Sequence, residues 1–215
     1  MTLLDGSRTS VSTATEATEA MGRGQAVVVI DDTVAPRHAA LVIAAEHATT
    51  ELVAFLIRHT GGFLCAALGE DHCERLALPH VAASRDTRCP EQRVTVDARD
   101  TGTGISASAR ARTVRTLADP RATTTDFTRP GHVVPVGVPL DGGVRLPGFA
   151  GATIALAALA GCTPVGAYAV LVSAERSSEV ADDSEAEQFA RRHGLSAVRL
   201  SEVWPHRLVD IADAD

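Results

Sequence analysis

The side chains with the most chemistry to offer gather around one octet, Thr128-Arg129-Pro130-Gly131-His132-Val133-Val134-Pro135. Pro130 fixes its own φ and pushes Arg129 towards extended geometry, while Gly131 accepts φ values closed to other residues. The octet reads as a rigid elbow that aims an arginine and a histidine. His132 on that elbow is a candidate general acid or base, because imidazoles titrate near neutral pH. Asp31 and Asp32 follow the apolar run 26–30, and the end of a buried strand is where α/β folds place their sites. Adjacent strand residues face opposite ways, so at most one of the two carboxylates is expected in a pocket. Cys65 offers a thiol, which is either a reactive group or a small core hydrophobe. Arg58, Arg110 and Arg129 carry forks suited to a carboxylate or phosphate, or to structural pairing with the chain's own acids. His47, His72, His80, His193 and His206 stand in no motif and read as surface residues.

Strands and helices alternate along the chain in a way that can position these groups. Apolar runs at 26–30, 40–45, 63–68 and 168–173 read as strands, joined by an alternating stretch at 92–98 and a last strand at 197–200. Helices are expected at 15–21, at 50–60 behind a threonine N-cap, at 71–76 and at 107–118 behind Ser106. Further helices are expected at 152–160, at 184–193 closed by Gly194, and at 201–209, with a turn at Asp141-Gly142-Gly143. The absence of repeats and linkers gives a single α/β domain over 14–210, a mixed sheet with surrounding helices. Residues 1–13 are expected to be a flexible segment and 211–215 a tail.

Composition narrows the function classes. The 215 residues carry a net charge of −7, which argues against a nucleic-acid or anionic-membrane partner. A 45% hydrophobic content is globular, and with only 3% aromatics the core must be aliphatic. No apolar run reaches the ~18 residues of a spanning helix, and the N-terminal stretch lacks the apolar segment of a signal peptide. Four cysteines without a CxxC spacing point to reduced thiols and a cytoplasmic protein.

Several ordered motifs resemble one family, 3,4-dihydroxy-2-butanone 4-phosphate synthase, the riboflavin-pathway enzyme acting on ribulose 5-phosphate. The octet resembles the family's RPGHVFPL signature. Gly22-Arg23-Gly24 with Val27–Asp32 is similar to GRGVMVLDD, and Ile57-Arg58-His59 with Phe63-Leu64-Cys65 is similar to IRHGSGIVC. Thr103-Gly104-Ile105-Ser106-Ala107 with Arg110 resembles TGVSAADR, and Ala152-Thr153-Ile154 resembles the helix after GHTEATIDL. The resemblance covers about Met21 to Leu208 and implies the family's fold and a homodimer with its pocket near the subunit interface, to which the small-residue segment 148–161 could contribute. It also implies substrate-binding roles for Arg58, Arg110, Arg129, Thr103 and Ser106, and pocket positions for His132 and Cys65.

The departures fall where the family does its chemistry. Its EDRENEGD loop, which supplies a Mg²⁺-ligating glutamate and a phosphate-binding arginine, reads Thr33-Val34-Ala35-Pro36-Arg37-His38-Ala39-Ala40 here. Its RGGHTEA, with a metal-binding histidine and a catalytic glutamate, reads Leu146-Pro147-Gly148-Phe149-Ala150-Gly151-Ala152, although Arg145 stands beside the lost arginine. Proline, phenylalanine and glycine side chains provide no hard oxygen ligand. The expectation is therefore a repurposed, metal-independent enzyme of isomerase, cyclase or lyase type in specialised metabolism. It would have no cofactor, would not run the parent reaction on ribulose 5-phosphate, and would act on a small, less charged substrate with His38 and Phe149 lining the pocket. A catalytically inactive, metabolite-binding or regulatory homologue is the alternative.

Overall fold

The computed structural model describes residues 11–81, 91–140 and 148–203. The expected turn at 141–143, Arg145, Cys89, His206 and the terminal segments, apart from residues 11–13, lie outside the described residues.

Seven strands form one mixed sheet in the order β4-β5-β3-β6-β2-β1-β7. They are β1 (Val27–Asp31), β2 (His38–Ala44), β3 (Cys65–Gly69), β4 (Val96–Ala98), β5 (Phe127–Val138), β6 (Gly166–Val170) and β7 (Ser196–Arg199). β1 runs antiparallel to β2 and parallel to β7, while β3 runs parallel to β5 and antiparallel to β6.

Strand alternation splits the core into two layers. One face presents Val28, Ile30, Leu41, Ile43, Ala66 and Leu68 to α2 (Thr50–His59), α4 (Ala107–Ala118) and α6 (Asp183–His193). The other presents Val27, Val29, Ala40 and Val42 to α1 (Ala14–Gly22), α5 (Gly148–Leu159) and α7 (Leu200–Val203). A short helix, α3 (Glu70–Arg75), follows β3. The N-termini are chemically specified. Thr13 and Glu16 make a capping box on α1, Asp182 and Glu185 make another on α6, and the Ser106 side chain caps α4.

Three sequence expectations need correction. The elbow is not a connection between elements. It lies within β5, where Asp97 pairs with Thr128 and Val96 with Val133, so Arg129–His132 bulges out of the ladder with the Arg129–Pro130 bond cis. The alternating stretch 92–98 keeps only three residues as strand, because the ladder breaks at that bulge. The helix expected at 152–160 starts earlier, at Gly148, and is buried from Gly151 to Ala157 between the sheet, α1 and α7. Its small residues serve close packing inside the protomer, which leaves that stretch little apolar surface for a partner.

Candidate active site

Several functional side chains turn towards the layer of α5 by strand alternation. Asp97 and His132 come from β4 and the β5 bulge, and His38 and Asp31 pair at one end of β2 and β1. Cys65 of β3 and Tyr168 of β6 pair with each other level with Val42 and Val27, four positions along the strands from His38 and Asp31.

His132 and Asp97 form the most ordered polar pair among them. The His132 backbone N–H donates to Asp97 Oδ1 at 2.9 Å, and ring Nδ1 meets Oδ2 at 2.7 Å. The Asp97 side chain is 9% exposed and that of His132 40%, so a buried carboxylate holds an imidazole whose far edge faces solvent. Two glycines make the arrangement possible. A Cβ on Gly104 would sit 1.9 Å from Asp97 Oδ2, and one on Gly131 would sit 2.0 Å from the Val96 carbonyl carbon. The Gly131 N–H donates to Thr95 Oγ1 at 3.0 Å, which pins the bulge from its other side.

Asp97 was not singled out in the sequence. The available signal was a carboxylate following the alternating Val94 and Val96 in an otherwise apolar strand.

Arg110 is buried on α4. It donates through Nη1 to the Gly62 carbonyl at 2.9 Å, and its Nε has no hydrogen-bond partner among the described residues. Burial lowers its pKa below the ordinary guanidinium value, and the negative charge of Asp97 works against that.

The other expected site residues divide. Cys65 is buried with Val134 and Val136 against Ala150 and Tyr168, the environment of a core thiol. The His38 ring meets the Phe149 ring edge-on at 5.1 Å, which brings these two expected pocket residues into contact with each other. β2, which carries His38, lies about three strand spacings, roughly 14 Å, from β5 and the His132 bulge.

Asp31 faces the α5 layer, but its Oδ1 already accepts from Thr33 N at 2.9 Å and Thr33 Oγ1 at 2.6 Å. Asp32 lies just beyond β1 and accepts from Ser201 N and Oγ of α7 at 3.0 and 2.5 Å. Burial raises its pKa, but the Ser201 hydrogen bonds and the charge of Arg199 outweigh that and leave it below the ordinary carboxylate value.

Arg129 turns away from these groups. Its Nη2 donates to the Leu76 carbonyl at 2.7 Å and its Nη1 to the carbonyls of Thr124 and Phe127. Ser106 is occupied as the α4 cap, Thr103 is exposed in the turn before it, and Arg58 is exposed beside His59 on α2.

A profile of the 3,4-dihydroxy-2-butanone 4-phosphate synthase family matches residues 15–206. The chain belongs to this family. Among curated relatives it is 45% identical over 185 residues to the riboflavin biosynthesis protein RibBA of Mycobacterium ulcerans and 45% identical over 182 residues to that of Mycobacterium tuberculosis H37Rv. These alignments cover 85% and 84% of this chain but 44% and 43% of the relatives, so the chain spans less than half their length. A crystal structure of 3,4-dihydroxy-2-butanone 4-phosphate synthase with two magnesium ions matches with a TM-score of 0.83 at 35% identity, covering 91% of this chain and 96% of the other. The Candida albicans synthase matches with a TM-score of 0.80 at 31% identity, covering 91% and 97%.

These findings overturn the expectation of a repurposed, metal-independent enzyme on a small, less charged substrate, and with it the expectation that the parent activity on ribulose 5-phosphate is lost. Curated relatives this similar over this much of the chain carry riboflavin-biosynthesis names. The inactive-homologue alternative gives way with it. Among the described residues no helix is long and apolar enough to cross a membrane.

The described donors at this edge do not match a magnesium ion. Phe149 packs its ring on His38, Pro36 offers no side-chain oxygen, and the Asp31 and Asp32 carboxylates are engaged by Thr33 and Ser201. Magnesium takes oxygen ligands in near-octahedral geometry. The described side chains at this edge do not assemble such a site, and no step below runs through one.

Proposed function

We propose that the chain acts in its family's reaction, converting ribulose 5-phosphate to 3,4-dihydroxy-2-butanone 4-phosphate and formate, with His132 as the proton-transfer group. The 45% identity to riboflavin biosynthesis proteins over 85% of the chain carries the reading. The Asp97–His132 pair supplies chemistry that fits it. The reaction needs a proton removed from carbon beside the ketose carbonyl, which calls for a base near neutrality. Asp97 accepts the Nδ1–H, fixes that tautomer and leaves Nε2 as the acceptor facing solvent. Once Nε2 takes the proton, the imidazolium is stabilised by the carboxylate 2.7 Å away and can return the proton later in the sequence. Arg110 adds a fixed positive charge close to this pair, suited to the substrate's phosphate or its developing enediolate.

The test is formate release by purified protein from ribulose 5-phosphate, with and without added Mg²⁺. Turnover is expected, and it should fall by roughly 10²–10⁴-fold in His132→Gln. No formate under either condition overturns the assignment of this reaction. Turnover unchanged in His132→Gln overturns the role given to His132.

A further inference from the structure

We propose that Glu46, His47 and Cys162 form a binding site for a divalent cation of the zinc class, at the end of the sheet opposite His132. Glu46 and His47 lie in a single 3-10 turn, Ala45–His47, that follows β2, and Cys162 lies just beyond α5. The ligand atoms of all three fall within 4.8 Å of one another. In a tetrahedral zinc site with bonds of about 2.0–2.3 Å, ligand atoms stand roughly 3.3–3.8 Å apart, so a modest closure suffices.

The surroundings already hold these groups in place. The Thr163 N–H donates to Glu46 Oε2 at 3.0 Å and ties the carboxylate to the segment carrying Cys162. Glu46 Oε1 stays 3.8 Å from His47 Nε2. Gly24 backs the imidazole on its other side, since a Cβ there would lie 3.5 Å from His47 Cβ and Cγ and 3.8 Å from Nδ1. That contact leaves Nε2 as the ring atom turned towards the cluster.

Cys162 is 9% exposed while Glu46 is exposed, so the thiol forms the floor and a fourth position opens to solvent. The carbonyl end of α5, three residues before Cys162, adds the negative pole of a helix dipole. Thiolate, imidazole and carboxylate together suit zinc or cobalt and not magnesium or calcium, which take oxygen donors. Without a cation, burial and the neighbouring Glu46 push the pKa of the thiol up to about 11, so it carries its proton. The cation would take the place of that proton.

The chelator-treated 215-residue chain should bind one equivalent of Zn²⁺ with a rise in melting temperature. With Co²⁺ it should develop a thiolate-to-metal charge-transfer absorption. Cys162→Ser should abolish that absorption, and His47→Ala should weaken Zn²⁺ binding more than about 10-fold, since even outer-shell changes cost that much. Excess Mg²⁺ should displace nothing. The proposal is overturned if the unmodified protein binds no stoichiometric Zn²⁺, or if Cys162→Ser binds it equally well through the chain's other thiols. Should Cys162→Ser fail to fold by circular dichroism, the half-buried His47→Ala and exposed Glu46→Gln variants decide, and undiminished affinity in both overturns it. None of these readouts depends on formate release, so this site and the proposed reaction stand or fall separately.

Discussion

At the scale of single residues, His132 depends on its neighbours more than on its own placement. Asp97 accepts both the backbone N–H and the ring of His132. Asp97→Asn is therefore expected to disturb the tautomer as well as remove the charge. Turnover in the formate assay should fall by roughly 10²–10⁴-fold. The double variant with His132→Gln should be little worse than either single one, because the two residues act as a unit. Additive losses would break the pair as a functional unit. Gly131 is the steric condition for the pair, and Gly131→Ala should cost about 3 kcal/mol by forcing β4 aside. For a chain of this size that is a drop of roughly 6–12 °C in melting temperature. An unchanged melting temperature would mean the bulge is looser than its geometry indicates. The special backbone around His132 was legible in the sequence because proline and glycine flag their own demands, while its pocket position came from the family resemblance. Asp97 was not, because its role arises from a ladder between residues thirty-five positions apart that no local pattern encodes. Arg129 shows the same limit in reverse: the octet aims it, but towards backbone carbonyls of Leu76, Thr124 and Phe127.

Among the elements, those written by local chemistry were more readable than those written by pairing. Ser106 caps α4 and Gly194 takes the left-handed conformation that ends α6, both as expected from the sequence, whereas the caps Thr13 and Asp182 of α1 and α6 were not expected and Thr13 falls in the segment expected to be flexible. β4 is short because its partner strand bulges, and α5 starts early because its first turn packs Phe149 against the sheet. One contact between elements carries a pH dependence. Phe55 and His59 of α2 stack with Phe189 and His193 of α6, with ring centroids 5.0–5.9 Å apart. Burial first, then the charges of His193 and Arg58, hold His59 below the usual imidazole value. Burial and Arg75 do the same to His72. The unfolded chain therefore binds protons first as pH falls through about 6.5, so stability declines below that pH and these two groups leave it flat above. Melting temperatures measured from about pH 7.5 down to about pH 5.5 should fall, and His59→Gln should flatten the slope without abolishing it. A slope unchanged in His59→Gln would remove the ring cluster as its source.

For the whole molecule, the question is how side chains at one sheet end become a closed site. Within one protomer His132 is substantially exposed, and His38 with Phe149 stands several strands away. Phe63, leading into β3 beside Cys65, is 58% exposed, and Ile105, just before α4, is 52% exposed. The Arg110–Gly62 bond holds the segments that carry them together at this same end. Exposed large apolar side chains beside a polar site suit burial against another protein surface. We propose a homodimer in which a second copy covers this end, as the family resemblance implies, with Phe63 and Ile105 at the contact in place of the buried α5. Light scattering at micromolar concentration should then give twice the 22.4 kDa protomer mass. Phe63→Asp would place a charge in the contact, shift the population to monomer and lower formate release per chain while far-ultraviolet circular dichroism stays native. Loss of turnover in a variant that remains dimeric would assign Phe63 to the pocket instead of the interface. A monomer at every concentration in the unmodified protein would mean that this end of the sheet works uncovered.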